Sequence, residues 1–248
     1  MRVALFIPCF IDQFYPQIGL ATAEVLERFG CTVVFPEGQT CCGQPMANSG
    51  CNDDAAPLAR KYVEVFDGYD YIVSPSGSCT SMVRKHYDGL CADDAKSNQV
   101  RQRTYEFCEF LIDVLKVESF PGLRLNRKVA YHSACHGLRE LRLGRASERM
   151  DAPASKPETL LAMVEGLQLM PMERPDECCG FGGTFAVAEE AVSVRMGCDK
   201  LGDCSRSGAD LVVSTDMSCL MHVGGLASRQ KSPLRFVHIA EVLAGRLS

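Results

Sequence analysis

A chain of 248 residues can close one large core or two small ones, and its make-up, 46% hydrophobic and 23% charged, is that of an ordinary globular protein. The net charge of −5 is spread along the chain without a basic run, which leaves no electrostatic footprint for nucleic acid. No apolar stretch approaches the roughly 18–20 residues of a membrane span.

The first segment, Met1-Arg-Val-Ala-Leu-Phe-Ile-Pro8, is too short and too soon broken by Pro8 to serve as a signal peptide. It reads as a β-strand, and the chain is expected in the cytoplasm. Apolar residues at helical spacing (Ile18, Ala21, Val25, Leu26, Phe29) predict a helix over about 16–29, followed by a strand over 31–35. Leu58, Tyr62, Val65 and Phe66 predict a second helix over about 53–66, leading into a strand at 71–74 and a further helix after Cys79. The second half repeats the scheme, with helices near 156–165 and 184–206 and strands near 167–172 and 210–214. Leu234 to Ile239 opens a last strand-to-helix element. Short apolar strands alternating with helices imply parallel sheets, so the predicted fold is α/β with two tandem, pseudo-symmetric Rossmann-like half-domains. Residues 121–128 form the natural seam, giving half-domains at 1–122 and 128–248.

Composition leaves one anomaly, fourteen cysteines. In a reducing cytosol so many thiols point to metal or redox chemistry rather than to a disulfide framework. Their pattern repeats. Cys41-Cys42-Gly43 recurs as Cys178-Cys179-Gly180, and each doublet follows a lone cysteine that ends a strand-like run, Cys9 in one half and Cys135 in the other. A third run ends in Cys79 and, in the second copy, in Cys219. Thirty-one residues separate Cys9 from Cys41 and 36 separate Cys42 from Cys79; the second copy has 42 and 39.

Each of these cysteines sits just beyond a predicted strand, where an open parallel sheet forms its functional crevice, so the four thiols of a half are expected to converge. Nearby helix N-termini favour the thiolate, which is the metal-binding form. Gly43 and Gly180 allow a sharp turn that brings amide N–H groups close to sulfur. Adjacent side chains in an extended segment point apart, which suits the separated attachment points of a multi-iron cluster better than a single tetrahedral zinc. An iron–sulfur cluster in each half is therefore the expectation, with zinc in one half or a redox or structural thiol role as alternatives.

These motifs, Cys9…Cys41-Cys42-Gly43…Cys79 and Cys135…Cys178-Cys179-Gly180…Cys219, resemble the cysteine-rich "CCG" domain family. That family includes the cysteine-rich subunit of heterodisulfide reductase, the iron–sulfur subunits of glycolate oxidase and anaerobic glycerol-3-phosphate dehydrogenase, and lactate utilization protein A. The chain length, the stretch Ser76-Gly-Ser-Cys-Thr-Ser81 and the segment Glu177-Cys-Cys-Gly-Phe-Gly-Gly-Thr-Phe185 most resemble the lactate utilization branch. The resemblance implies an iron–sulfur electron-transfer subunit of a cytoplasmic complex that oxidises L-lactate to pyruvate. It also implies a 4Fe–4S cluster on each set, Cys9, Cys41, Cys42 and Cys79 in one half and Cys135, Cys178, Cys179 and Cys219 in the other. The fuller family motif ends in C-x-x-C, whereas here the endings are Cys79-Thr-Ser-Met82 and Cys219-Leu-Met-His222. Each site thus keeps four cysteines; His222 is a credible extra ligand and Met82 a weak one, and cubane and noncubane forms both stay open. A heterodisulfide-reductase-like thiol/disulfide redox subunit is the alternative function, as is a zinc-binding structural protein.

Cysteines 31, 51, 91, 108, 198 and 204 lie outside the two sets and read as apolar filler, with Cys51 the one weighed as an additional ligand. His132 and His136 flank Cys135 and read as hydrogen-bonding or surface histidines, or as support beside the second centre, outside the ligand set. Gly180-Phe-Gly182-Gly183 falls short of a dinucleotide fingerprint because Phe185 stands where the third glycine is needed, so a flavin or NAD site in this chain is not expected. The position of Cys79 in Gly77-Ser-Cys-Thr also fits a thiol nucleophile on a strand-to-helix turn, but a nucleophile needs no duplicate doublet. Without a hydride acceptor, the chain is expected to work with other subunits of a lactate-oxidising complex, at least one carrying ferredoxin-like clusters.

Overall fold

The computed structural model describes residues 1–91, 95–150 and 154–247. Strands β1 (Arg2–Leu5), β2 (Thr32–Val34), β3 (Ile72–Ser74) and β4 (Thr104–Glu106) form one sheet in the order β2-β1-β3-β4. Strands β5 (Arg124–Tyr131), β6 (Glu165–Leu169), β7 (Leu211–Ser214) and β8 (Arg235–His238) form a second sheet in the equivalent order β6-β5-β7-β8. Every pairing is parallel: Ala4 stands beside Val34 and Ile72, and Val129 beside Leu169 and Leu211. The fold is α/β, with two tandem Rossmann-like halves, as the repeat predicts.

Parallel strands covered on both faces carry unbroken apolar runs. β7, Leu-Val-Val-Ser, is buried along its whole length for this reason. The helix Pro16–Arg28 begins with proline in its first turn, where the missing N–H costs nothing, and buries Ile18, Ala21, Val25 and Leu26 completely. Each large aliphatic side chain on that face contributes on the order of 1.5–3 kcal/mol. The helix packs on Ile239–Ala244 of the other half. There Arg28 donates to the carbonyl oxygens of Leu243 (3.1 Å) and Ala244 (3.2 Å), groups left without partners at a helix C-terminus. The largest core is accordingly shared: Val3, Leu5 and Ile18 belong to the same buried cluster as Val129, Tyr131, Val213 and Val242. A second cluster around Phe6, Tyr62 and Phe66 lies within the first half, and a third around Cys179, Leu201 and Val223 within the second.

Several expected boundaries move. β5 begins at Arg124, inside the stretch read as the seam, and β6 runs over 165–169 rather than 167–172. The helix expected over 184–206 is broken at Glu189 into Phe185–Ala188 and Glu190–Arg206. β4 carries no strand signal because its sequence, Thr-Tyr-Glu, is polar. Its buried Thr104 is satisfied internally, donating to the Val100 carbonyl (2.8 Å) and bonding the Tyr62 hydroxyl (3.1 Å). No helix among the described residues is long and apolar enough to cross a membrane.

Candidate metal centre

The carboxyl ends of six strands deliver the eight cysteines. Cys9 opens the helix Cys9–Phe14 after β1, the Cys41-Cys42 doublet follows β2, and Cys79 lies in the short helix Gly77–Ser81 after β3. In the second half Cys135 precedes the wide turn His136–Glu140 after β5, Cys178-Cys179 follows β6, and Cys219 lies in the helix Met217–Arg229 after β7. β1 and β5 are the strands on either side of which the chain order reverses, which is where such sheets open a crevice.

Within each half the thiols meet. Cys9 Sγ is 3.8 Å from Cys41 Sγ, and Cys42 Sγ is 3.4 Å from Cys79 Sγ. Gly43 (φ +83°) and Gly180 (φ +86°) adopt left-handed backbone that turns their N–H groups onto the sulfurs of Cys41 and Cys178, each at 3.4 Å. Hydrogen bonds from Cys42 and Cys9 hold the Cys41 thiol down to about 3, and those from Cys135 and Cys179 hold Cys178 down to about 2. The donors are pushed up in turn: Cys9 and Cys135 first by donating to their thiolate neighbour and then by burial, Cys42 and Cys179 by donating within the quartet and by burial. Thiolate character is thus favoured at the first cysteine of each doublet, the sulfur that its glycine amide faces.

The two quartets open on a single cavity between the halves, and all eight cysteines line it. Phe10 and Phe181 meet edge to face across it, with ring centroids 5.8 Å apart, and Asp216, Ser76 and Ser78 complete its polar rim. Ser49 Oγ and Thr184 Oγ1, 3.0 Å apart, also tie the two halves together. Four soft thiol donors on each side, with backbone N–H groups aimed at one sulfur of each set, fit a thiophilic metal or an iron–sulfur group.

The other singled-out residues divide. Met82 is buried among the first-half core residues, and His222 faces the Ser193 carbonyl oxygen (3.3 Å) and the Phe181 ring. Neither is among the residues lining the cavity. Cys31, Cys108 and Cys204 are buried and Cys91 and Cys198 half-buried, while Cys51 is exposed at the start of the helix Asn52–Phe66 and departs from the filler reading. His136 lines the cavity, its Nδ1 3.6 Å from Cys135 Sγ. His132 is buried with neither ring nitrogen hydrogen-bonded, and burial pushes it down to about 3. Asp216 escapes sequence reasoning; the only signal for it is its place three residues before Cys219, where the first copy has Ser76 before Cys79.

The sequence profile of the cysteine-rich domain family CCG matches residues 3–84 and 129–224, the segments that carry the two quartets. Proteins called lactate utilization protein A are similar along their whole length. The one from Bacillus licheniformis is 42% identical over 99% of this chain and 100% of its own, and the one from Shouchella clausii 44% over 98% of each. The Bacillus subtilis protein of that name is 40% identical, covering 99% of this chain and all of its own. Among solved structures, a hypothetical protein from Helicobacter pylori superposes with a TM-score of 0.62 at 10% identity over 99% of this chain, which spans about half of that longer chain; this likeness concerns the fold alone. With the repeated motif, the shared cavity and these matches in agreement, the chain belongs to the cysteine-rich CCG domain family.

Proposed function

We propose that this protein is an iron–sulfur electron-transfer subunit of a cytoplasmic, multi-subunit assembly that oxidises L-lactate to pyruvate. One observation carries the reading: two equivalent thiol quartets face one cavity, so two centres would lie within a single protein crevice. Cys9, Cys41, Cys42 and Cys79 would hold one 4Fe–4S cluster, and Cys135, Cys178, Cys179 and Cys219 the other. Bound there, each cluster supplies a reversible one-electron change.

The chain's own residues do the rest. Gly43 and Gly180 aim N–H donors at one thiolate per quartet, which offsets negative charge at the site. Phe10 and Phe181 give the cavity an apolar wall beside the two quartets. Conversion of lactate to pyruvate releases two electrons and two protons. Two one-electron centres match that electron count, and partner subunits, at least one with ferredoxin-like clusters, would pass the electrons on. The relatives' shared name supports lactate as the substrate.

The test is anaerobic isolation with iron and acid-labile sulfide assays, followed by EPR of the wild type and of Cys42→Ser and Cys179→Ser. One distinct signal lost per variant is expected. An active, iron-free protein alkylated at Cys79 alone, or stoichiometric zinc without sulfide, would overturn the reading. Complete lactate oxidation by the isolated chain would overturn the multi-subunit part.

A further inference from the structure

The two halves differ, among other places, just ahead of the first cysteine of each quartet. Three residues before the first cysteine of each set, the first half carries Phe6 and the second carries His132. Phe6 is fully buried in an aromatic cluster, its ring centroid 4.9 Å from that of Tyr62 and 5.6 Å from that of Phe66. An apolar ring at this site needs nothing from its surroundings. An imidazole does.

The backbone of His132 is pinned at the end of β5: its N–H donates to the Val213 carbonyl (2.8 Å) and its carbonyl accepts from Ser214 Oγ (2.9 Å). Its side chain is only 3% exposed, and neither ring nitrogen has a hydrogen-bond partner. A buried imidazole with both nitrogens unpaired forfeits on the order of 1–3 kcal/mol per unsatisfied group, a cost a native site rarely carries without a use for it. One donor nitrogen of His132 lies with Cys179 Sγ and Cys219 Sγ in a group whose members all fall within 4.8 Å of one another. Donors that share one thiophilic metal stand about 3.5–4 Å apart, so atoms already gathered within 4.8 Å need only a small side-chain adjustment to meet at one centre. His222 does not compete for the role, because its Nε2 faces Ser193.

We propose that His132 is a nitrogen ligand of the second metal centre, beside Cys179 and Cys219, and that the first centre, with Phe6 in the equivalent place, has thiolate ligands only. The inference rests on the iron–sulfur reading of the quartets. It makes the two centres chemically unequal: a neutral nitrogen donor tunes one of them, and the other keeps an all-sulfur environment.

Pulsed EPR on the whole protein, grown with 15N-labelled histidine and isolated anaerobically, tests it. Iron and sulfide are measured on the same sample. A strong nitrogen hyperfine coupling, of the size seen for a directly bound imidazole, is expected in the wild type. It should be lost in His132→Phe and kept in His136→Phe, with the first centre's signal unchanged in both. His132→Asn, which keeps a polar side chain in the pocket, gives the same readout should the larger swap fail to fold. Iron and sulfide present with only weak coupling, or with strong coupling that survives both His132 substitutions, overturns the ligand assignment and leaves the proposed function standing. Protein lacking iron and sulfide overturns both.

Discussion

The carboxylate of Asp216 caps a helix in the opposite half of the molecule. It stands at the N-cap of its own helix, Met217–Arg229, yet Oδ2 accepts the N–H of Ser78, 2.7 Å away, in the helix that carries Cys79. Oδ1 accepts from Ser218 Oγ at 2.7 Å, and the residue is buried. In the first half the equivalent Ser76 caps its own helix instead, accepting the Cys79 N–H at 3.3 Å. Asp216→Ala removes a charge-assisted bond and leaves a helix N–H unpaired, at a cost of about 1–3 kcal/mol. Because the lost partner sits next to Cys79, the first centre's spectrum should change along with the unfolding midpoint, and Asp216→Asn should be milder on both measures. A variant with reduced stability and an untouched first-centre spectrum would mean that the contact is purely structural.

Glu106 and His238 hold equivalent places, each ending the fourth strand of its sheet and forming a capping box with a glutamate three residues on, Glu109 and Glu241. Both are fully buried, and burial drives them in opposite directions. Glu106 is pushed from 4.5 up to about 8, with the nearby Glu109 and Asp216 charges adding to the rise. His238 is pushed from 6.5 down to about 4, although carbonyl contacts and Asp216 oppose the shift. The folded chain keeps a proton on Glu106 that the unfolded chain gives up, so this contribution is complete below pH 4.5 and is lost as pH rises through about 8. His238 stays neutral in the fold, so its contribution is complete above pH 6.5 and is lost as pH falls towards about 4. Glu106→Gln should therefore stabilise the protein at pH 8 by roughly 2–4 kcal/mol, and His238→Gln should flatten the loss below pH 6.5. Denaturant midpoints across pH 4.5–8 are the check; parallel pH profiles for wild type and variants would refute both assignments.

The two doublet glycines should respond unequally to alanine. Both need left-handed backbone, a cost of about 1–2 kcal/mol for an L side chain. At Gly43 an added Cβ would meet the Ala55 carbonyl oxygen at a tolerable 3.4 Å, whereas at Gly180 it would come within 2.6 Å of the Ser193 carbonyl oxygen and 2.7 Å of Met196 Cβ. Gly180→Ala should cost several kcal/mol more than Gly43→Ala and empty the second centre while sparing the first. Metal content and melting temperature of the two variants decide the matter; equal losses would sink it.

Lys200 anchors the loop that leads into the second doublet. Its fully buried ammonium donates to the Arg174 carbonyl (2.6 Å) and stands 3.8 Å from Asp203, whose carboxylate accepts the N–H groups of Glu173 and Arg174, both at 3.1 Å. Lys200→Met leaves Asp203 buried with only the outlying Arg206 to balance it, and should destabilise by about 3–5 kcal/mol. Urea unfolding measures this directly, and a loss below about 1 kcal/mol would show that the pair is solvated in solution.

Legibility follows how local each signal is. The helix over Pro16–Arg28 and the strands β3 and β7 are readable because periodic or unbroken apolar residues report burial directly. β4 is not, because Thr104 and Glu106 are buried polar residues whose partners, Tyr62 and Glu109, are known only in three dimensions. The break at Glu189 escapes because an exposed apolar residue such as Val187 looks, in sequence, like part of a helical stripe. His132 looks like an ordinary polar residue at a strand end; only its unpaired, buried ring distinguishes it.

The sequence by itself determined the two Cys…CysCysGly…Cys sets, their place beyond the strands and the glycines that turn N–H groups onto sulfur, because each depends on residues close along the chain. Only the tertiary structure decided that both quartets share one cavity, that Asp216 caps a helix 138 residues away, and that His132 rather than His222 faces Cys179 and Cys219. Those relationships follow from how the two sheets pack through a shared core, and packing between distant segments leaves no periodicity in the sequence to read.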